Sequence, residues 1–183
     1  MKFIGTKEID LNRILLRPFE MKDVNDVFDY ASDEEITKFL TWNPHKNIQE
    51  TESLLKNVFT KYDEKTFRWA IVYKENNKVI GSIDVVRLNL ERESAEIGYV
   101  LNRAYHNQGL MSEAFKGVID YLFNDVDLKE IRACFELGNE ASKKVMEKCG
   151  LKSEDLIIER TLPLKGDKKV FVSYYALKRY QRY

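Results

Sequence analysis

Glu96-Ile-Gly-Tyr-Val-Leu-Asn-Arg-Ala-Tyr-His-Asn-Gln-Gly109-Leu-Met-Ser-Glu-Ala-Phe115 runs a strand pattern through a polar, glycine-containing turn straight into an amphipathic helix. Met111, Ala114, Phe115, Val118, Ile119, Leu122 and Phe123 recur at three- and four-residue spacing, which puts them on one helix face to pack against a sheet. Gly109 therefore stands at the helix entrance. First-turn amides have no partner inside a helix, and the helix dipole adds partial positive charge there. A phosphate or diphosphate can be bound by that backbone alone, and Gly109 has no Cβ to block its approach. Taken alone, the segment fits a plain strand-to-helix turn equally well.

Composition narrows the alternatives. The 183 residues are 44% hydrophobic and 33% charged, enough for one substantial core, so one domain spanning residues 1–183 is expected. Thirty basic and thirty acidic residues cancel, which removes any global field favouring nucleic acid or an anionic membrane. The first residues carry no signal-peptide-like apolar run, and no segment approaches the roughly 20 apolar residues that span a bilayer, so a cytoplasmic protein is expected. Cys134 falls in a strand-like run and Cys149 late in a helical one, and the two histidines lie far apart. Buried reduced thiols and no metal site are the corresponding expectations.

Outward from the quoted stretch, Arg13 to Phe19 reads as a first strand, Met21 to Ala31 as a helix and Asn47 to Tyr62 as a second helix. Between the helices lies Phe39-Leu-Thr-Trp42-Asn-Pro44-His45, a candidate substrate lid. Phe67 to Tyr73 and Lys78 to Leu88 form a hairpin around Glu75-Asn76-Asn77, and Ser94 to Leu101 is a further strand. Past the Gly109 helix come a β run from Glu130 to Glu136 and a short helix from Asn139 to Cys149, closed by Gly150. A final hairpin, Leu156 to Leu162 with Lys169 to Leu177, turns at Lys165-Gly166-Asp167. This order predicts a single α/β domain.

Asn139 reads as an N-cap with Ser142 one turn in. Two helix N-termini, after Gly109 and after Asn139, each follow a strand and suit the two sides of one crevice at neighbouring strand ends, where an elongated phosphate-bearing ligand fits.

These pieces resemble the GNAT superfamily of acetyl-CoA-dependent N-acetyltransferases over nearly the whole chain, and within it the RimJ/RimL-type branch. The matching segments are Asn12 to Phe19, Leu40 to Pro44, Val79-Ile-Gly-Ser82, Ala95 to Tyr99, Gln108 to Ala114 and Asn139 to Gly150. The family's phosphate loop is Gln/Arg-x-x-Gly-x-Gly/Ala; Gly109 matches, while His106 stands at the Gln/Arg position and Met111 at the last. The resemblance implies a GNAT-like mixed, mostly antiparallel sheet flanked by helices, with direct transfer of acetyl from acetyl-CoA to a primary amine and no metal. It puts the cosubstrate against His106, Asn107, Gln108, Gly109, Leu110, Met111 and Ser112, with Asn139 placing the pantetheine arm or a water.

Each chemical need then has a candidate. An alkyl amine is only about one part in a thousand neutral at pH 7 and an α-amine roughly a tenth, so a base is needed, and Glu96 is the candidate because its strand feeds the crevice. Met146 stands where many relatives carry a tyrosine, so Ser142 becomes the candidate donor to the leaving thiolate. The family's oxyanion donor is a backbone amide near Val100 or Leu101. Asp84, Glu96 and Glu136 are candidates for an acidic acceptor pocket, and Trp42, Phe39 and His45 for its cover, although Trp42 and Phe39 fit equally well as core. The leading acceptor expectation is a protein N-terminal α-amine, as on a ribosomal protein, with a polyamine, amino acid or aminoglycoside as the alternative. A non-catalytic acetyl-CoA-binding regulator is the competing class, and the assembly expected is a monomer or homodimer.

Overall fold

The computed structural model describes residues 1–182. Two short strands, β1 (Ile9–Asp10) and β2 (Ile14–Arg17), lead into α1 (Val24–Ala31), α2 (Glu34–Thr37) and α3 (Ile48–Leu54). Then come β3 (Arg68–Tyr73), β4 (Lys78–Asn89), β5 (Ser94–Leu101), α4 (Leu110–Asn124), β6 (Glu130–Glu136), α5 (Glu140–Lys148), β7 (Lys152–Leu162) and β8 (Lys168–Lys178). The eight strands form one sheet in the order β1-β2-β3-β4-β5-β6-β8-β7. Every neighbouring pair is antiparallel except β5 with β6.

That one parallel pair creates the site. It holds from Ser94 opposite Glu130 to Ile97 opposite Ala133, and there the register ends, while β5 stays paired with β4 as far as Leu101. Gly98 to Leu101 on one strand and Cys134 to Glu136 on the other therefore leave a gap with unpaired backbone groups. The β4–β5 ladder tells which groups face it. Asn102 N–H donates to the Ile80 carbonyl at 2.7 Å, next to the Gly81–Leu101 pair. Antiparallel groups alternate in direction, so the Leu101 N–H and C=O point away from β4 and into the gap.

Each face of the sheet carries its own core. On one side α4 buries Leu110, Ala114, Phe115, Val118 and Leu122 against Ile14, Leu16, Trp69, Ile83 and Ile97. On the other, Val27, Tyr30 and Ala31 of α1, with Leu55, cover Ala70, Val72 and Val79. Gly81 permits a close approach at the end of the split: a Cβ there would lie 2.2 Å from the Val100 carbonyl oxygen.

Three expected boundaries shift. The second helix is α-helical only to Leu54 and then widens into a π turn over Leu55–Phe59, where the Thr60 N–H and Oγ1 both bond the Leu55 carbonyl at 2.9 Å. The stretch before the Trp42 loop contains α2, capped by Asp33 accepting from the Glu35 and Ile36 amides. Strand β7 starts at Lys152, four residues earlier than its apolar run, with Asp155 at φ 53° absorbing a register shift.

Candidate active site at the split in the sheet

Two cavities, of about 610 Å³ on the α1 side and about 370 Å³ beside α4 and α5, share Phe39, Leu40, Tyr99, Val100, Asn139 and Ser142 in their linings. The split therefore joins two chambers through the plane of the sheet.

The smaller chamber holds the loop that opened the sequence reading. Gly109 is the N-cap of α4 at φ 75°, and a Cβ there would meet only Arg13 Nη2, at 3.7 Å. Asn107 is also left-handed, at φ 61°. The loop is braced from below. Arg13 donates from Nη1 to the Gln108 carbonyl at 2.8 Å and from Nε to Glu113 at 2.7 Å. His106 Nε2 lies 2.9 Å from the Leu101 carbonyl oxygen. A carbonyl only accepts, so this nitrogen carries the proton. Gly109, Leu110, Met111 and Ser112 line the chamber with Lys144, Val145 and Lys148 of α5, so first-turn amides and two ammonium groups face one space. This donor set fits a diphosphate with an extended arm. Gln108, expected against the cosubstrate, does not line the chamber: its side chain turns back to the Ala104 carbonyl at 3.3 Å and its own carbonyl accepts from Arg13. Met111 is buried in the α4 core, which explains why a large side chain is tolerated at that loop position.

At the junction Asn139 caps α5, its Oδ1 accepting from the Ser142 N–H at 3.2 Å. Ser142 Oγ lies 2.9 Å from the Tyr99 hydroxyl, which also donates to the Ser142 carbonyl at 3.0 Å. Burial pushes the Tyr99 phenol well above its ordinary pKa, so it stays protonated. Ser142 is thus one half of a hydroxyl pair whose other half, Tyr99, the sequence reading placed only as a strand residue.

The larger chamber gathers Trp42, Phe39, His45, Asp84, Glu96, Glu136 and Arg160 among apolar walls that include Val27, Leu54 and Leu162. Trp42 meets the His45 ring at 5.3 Å with the planes tilted by 43° and packs on the α1 core, so it is both wall and core. Partial burial lowers the His45 pKa, and its Nδ1 is 2.7 Å from Thr51 Oγ1. The cover is tied down: Asn43 Nδ2 donates to the Leu164 carbonyl at 2.8 Å, and Lys165 Nζ to the Thr37 and Lys38 carbonyls at 2.7 and 3.1 Å.

The acidic wall is mostly neutralised. Glu96, only 9% exposed, accepts from Arg160 Nη2 at 2.7 Å and from the Cys134 thiol at 3.7 Å. Arg160 in turn bonds the Tyr174 hydroxyl. Glu136 pairs with Lys168 at 3.3 Å. Asp84 differs: its nearest cation is Arg68 Nε at 3.6 Å, an ion pair too long for a hydrogen bond, and its buried Oδ1 accepts none. Burial raises its pKa to about 7, against the opposing pull of Arg68.

The comparisons with known proteins agree with this architecture. The sequence matches the acetyltransferase (GNAT) domain over residues 13–152. The chain belongs to the GNAT acetyltransferases. Among curated GNAT relatives, an uncharacterized N-acetyltransferase p20 of Bacillus licheniformis is 30% identical over 146 residues, covering 79% of this chain and 82% of the relative. A solved GNAT acetyltransferase from Bacillus anthracis superposes with a TM-score of 0.82 at 27% identity, covering 94% of this chain and 98% of the other. More distant members differ in the acceptor their names give. A putative ribosomal N-acetyltransferase YdaF of Bacillus subtilis is 29% identical over 43% of each chain. The spermidine N(1)-acetyltransferase of Escherichia coli is 22% identical over 77% of this chain and 74% of its own. The chain is therefore an acetyltransferase enzyme with the family's fold. No helix among the described residues is long and apolar enough to cross a membrane, and no group of three or more metal-ligating side chains occurs among them.

Proposed function

We propose that this GNAT enzyme moves acetyl directly from acetyl-CoA to the primary amine of a small, singly charged acceptor with an apolar body. The observation that carries this is the pair of chambers meeting at the split, one lined by first-turn amides and lysines, the other by apolar walls with one carboxylate that no hydrogen bond holds. In this reading the diphosphate of acetyl-CoA lies against the amides of Gly109 to Ser112 with Lys144 and Lys148 alongside. The arm passes Asn139, and the thioester reaches the gap between β5 and β6. The Leu101 N–H, facing the gap, stabilises the negative charge that develops on the carbonyl oxygen. Ser142, held by Tyr99, supplies the hydrogen bond and proton that the departing thiolate needs.

Charge accounting argues against a polycation, because Arg68, Arg160, Lys168 and Arg87 already offset Asp84, Glu96 and Glu136. A polyamine brings more positive charge than the chamber balances. The tied cover supports a small acceptor, because the Trp42 loop and the turn after β7 both line the chamber and are bonded to each other. The second reading is a protein N-terminal α-amine, as in the RimJ/RimL-type branch; it draws on the ribosomal relative and is also a single charge.

The test is acetyl-CoA-dependent thiol release against hydrophobic monoamines, polyamines, aminoglycosides and short peptides of varied N-terminus. Release concentrated in the monoamines is expected. Release confined to peptides moves the assignment to protein N-termini, and preference for polyamines overturns the charge argument. Acetyl-CoA binding with no release from any amine favours a regulator.

A further inference from the structure

We infer that Asp84, rather than Glu96, is the carboxylate that takes the proton from the acceptor ammonium, an inference that rests on the acetyl-transfer reading above. Arg68 Nε and Asp84 Oδ1 are buried without a hydrogen bond among the described residues and face each other only as an ion pair at 3.6 Å, and the Tyr30 hydroxyl, beside Ser82, is buried next to them. All three belong to one cluster. Arg68 and Asp84 are cross-strand partners on β3 and β4, and Tyr30 of α1 lines the same chamber as Asp84. Buried polar groups are paired as a rule, so such a cluster marks where a polar group of a ligand, or a water it displaces, completes the set.

Its position suits the chemistry. Asp84 lies opposite Gly98, the first residue of β5 beyond the last β5–β6 pair. Cross-strand partners point to the same face, and Gly98 has no side chain, so nothing from β5 stands between Asp84 and the gap. Glu96 shares the chamber, but one of its oxygens already serves Arg160 and Cys134. The Arg160 and Cys134 bonds occupy lone pairs with which Glu96 would take a proton, whereas burial brings the Asp84 carboxyl near neutrality, where a general base is matched to its task. The groups facing Asp84 are Arg68 from β3, Tyr30 from α1 and Tyr62 from the segment after α3, with Glu96 and Arg160 across the chamber. Arg68 is fixed by its bond to the Val58 carbonyl at 2.9 Å and lies over the Phe59 ring.

The step balances. One ammonium proton passes to an Asp84 oxygen, and the freed nitrogen pair forms the C–N bond to the thioester carbon. The C–S bond breaks, its electrons leave with sulfur, and the second nitrogen proton ends on that sulfur through the Ser142 hydroxyl. Asp84 then returns its proton to water.

Two measurements test this. In protein carrying carboxyl-labelled aspartate, the carbon-13 signal that Asp84→Asn removes is expected to titrate near pH 7; a midpoint in the ordinary carboxylate range overturns the assignment, whether or not any amine turns over. In thiol-release kinetics with 2-phenylethylamine, or with the best peptide should peptides alone react, Asp84→Asn is expected to lower kcat/KM roughly 100- to 10,000-fold and abolish the acid limb. Glu96→Gln is expected to reduce the rate less and keep that limb. The reverse pattern, in protein that still binds acetyl-CoA, returns the role to Glu96. No release by the wild type with any amine defeats the acetyl-transfer reading, while the carbon-13 titration still judges Asp84.

Discussion

On the donor side of the sheet the side chains that brace the loop have partners before any ligand arrives, leaving the first-turn amides of α4 open: Arg13 holds Glu113 and the Gln108 carbonyl, His106 holds Leu101, and Asn139 caps Ser142. On the acceptor side Arg68 Nε and Asp84 Oδ1 are buried with no hydrogen bond, facing each other only as an ion pair at 3.6 Å. The first arrangement is a rigid cradle built largely from backbone, which suits a cosubstrate common to a whole family. The second keeps a carboxyl in a place that burial penalises, and holds it there by the packing of α1 and the fixed guanidinium of Arg68. Unpaired buried groups of this kind lower stability and persist where function uses them.

Five substitutions sharpen that contrast. At the junction itself, Ser142→Ala is expected to lower kcat roughly 100-fold or more if its hydroxyl protonates the thiolate, with acetyl-CoA affinity little changed. Tyr99→Phe follows with a smaller loss. Full turnover by Ser142→Ala alongside an inactive Tyr99→Phe would transfer the role to tyrosine.

The acceptor side predicts a stability effect whose sign is fixed by Asp84. Its pKa is higher folded than unfolded, so the native state binds the extra proton, and its contribution is most favourable at low pH and is lost as pH rises through about 7. Asp84→Asn is therefore expected to be more stable than the wild type at pH 8, by up to about 4 kcal/mol, with the difference shrinking towards pH 4. Denaturant unfolding at the two pH values reads this directly. A variant less stable at pH 8 would mean that the carboxylate is satisfied.

The donor side is sensitive to backbone rather than charge. Gly109→Ala forces a side chain into a left-handed position, at about 1–2 kcal/mol, and acetyl-CoA titration is expected to weaken about 5- to 30-fold. The smallest effect belongs to the cover. Lys165→Met removes two bonds to the Trp42 side of the chamber, costs about 0.5–1.5 kcal/mol in stability and is expected to raise kcat/KM for bulkier amines. Unchanged selectivity would remove the cover from the specificity argument.

Much of the frame was legible because period and length agree. Ser94–Leu101 and Glu130–Glu136 emerge with the boundaries read from the sequence, and α4 from its apolar stripe. Strand β1 and helix α2, at two and four residues, are too short to show a period, and the charged start of β7 hid its first turns of ladder. Gly109, Asn139 and Ser142 were readable because a loop or cap marks them locally. The pairings that decide chemistry were not: Tyr99 meets Ser142 across 43 residues and Glu96 meets Arg160 across 64. In the sequence Asp84 is one of three acidic candidates, and only the fold reveals that the other two are hydrogen-bonded to cations while Asp84 is not.

The most direct test of two substrates meeting from opposite faces of the split is the initial-velocity pattern of thiol release with acetyl-CoA and amine varied together. Direct transfer within one ternary complex predicts double-reciprocal lines that intersect. Parallel lines, with labelled acetyl retained on the protein in the absence of amine, would contradict it.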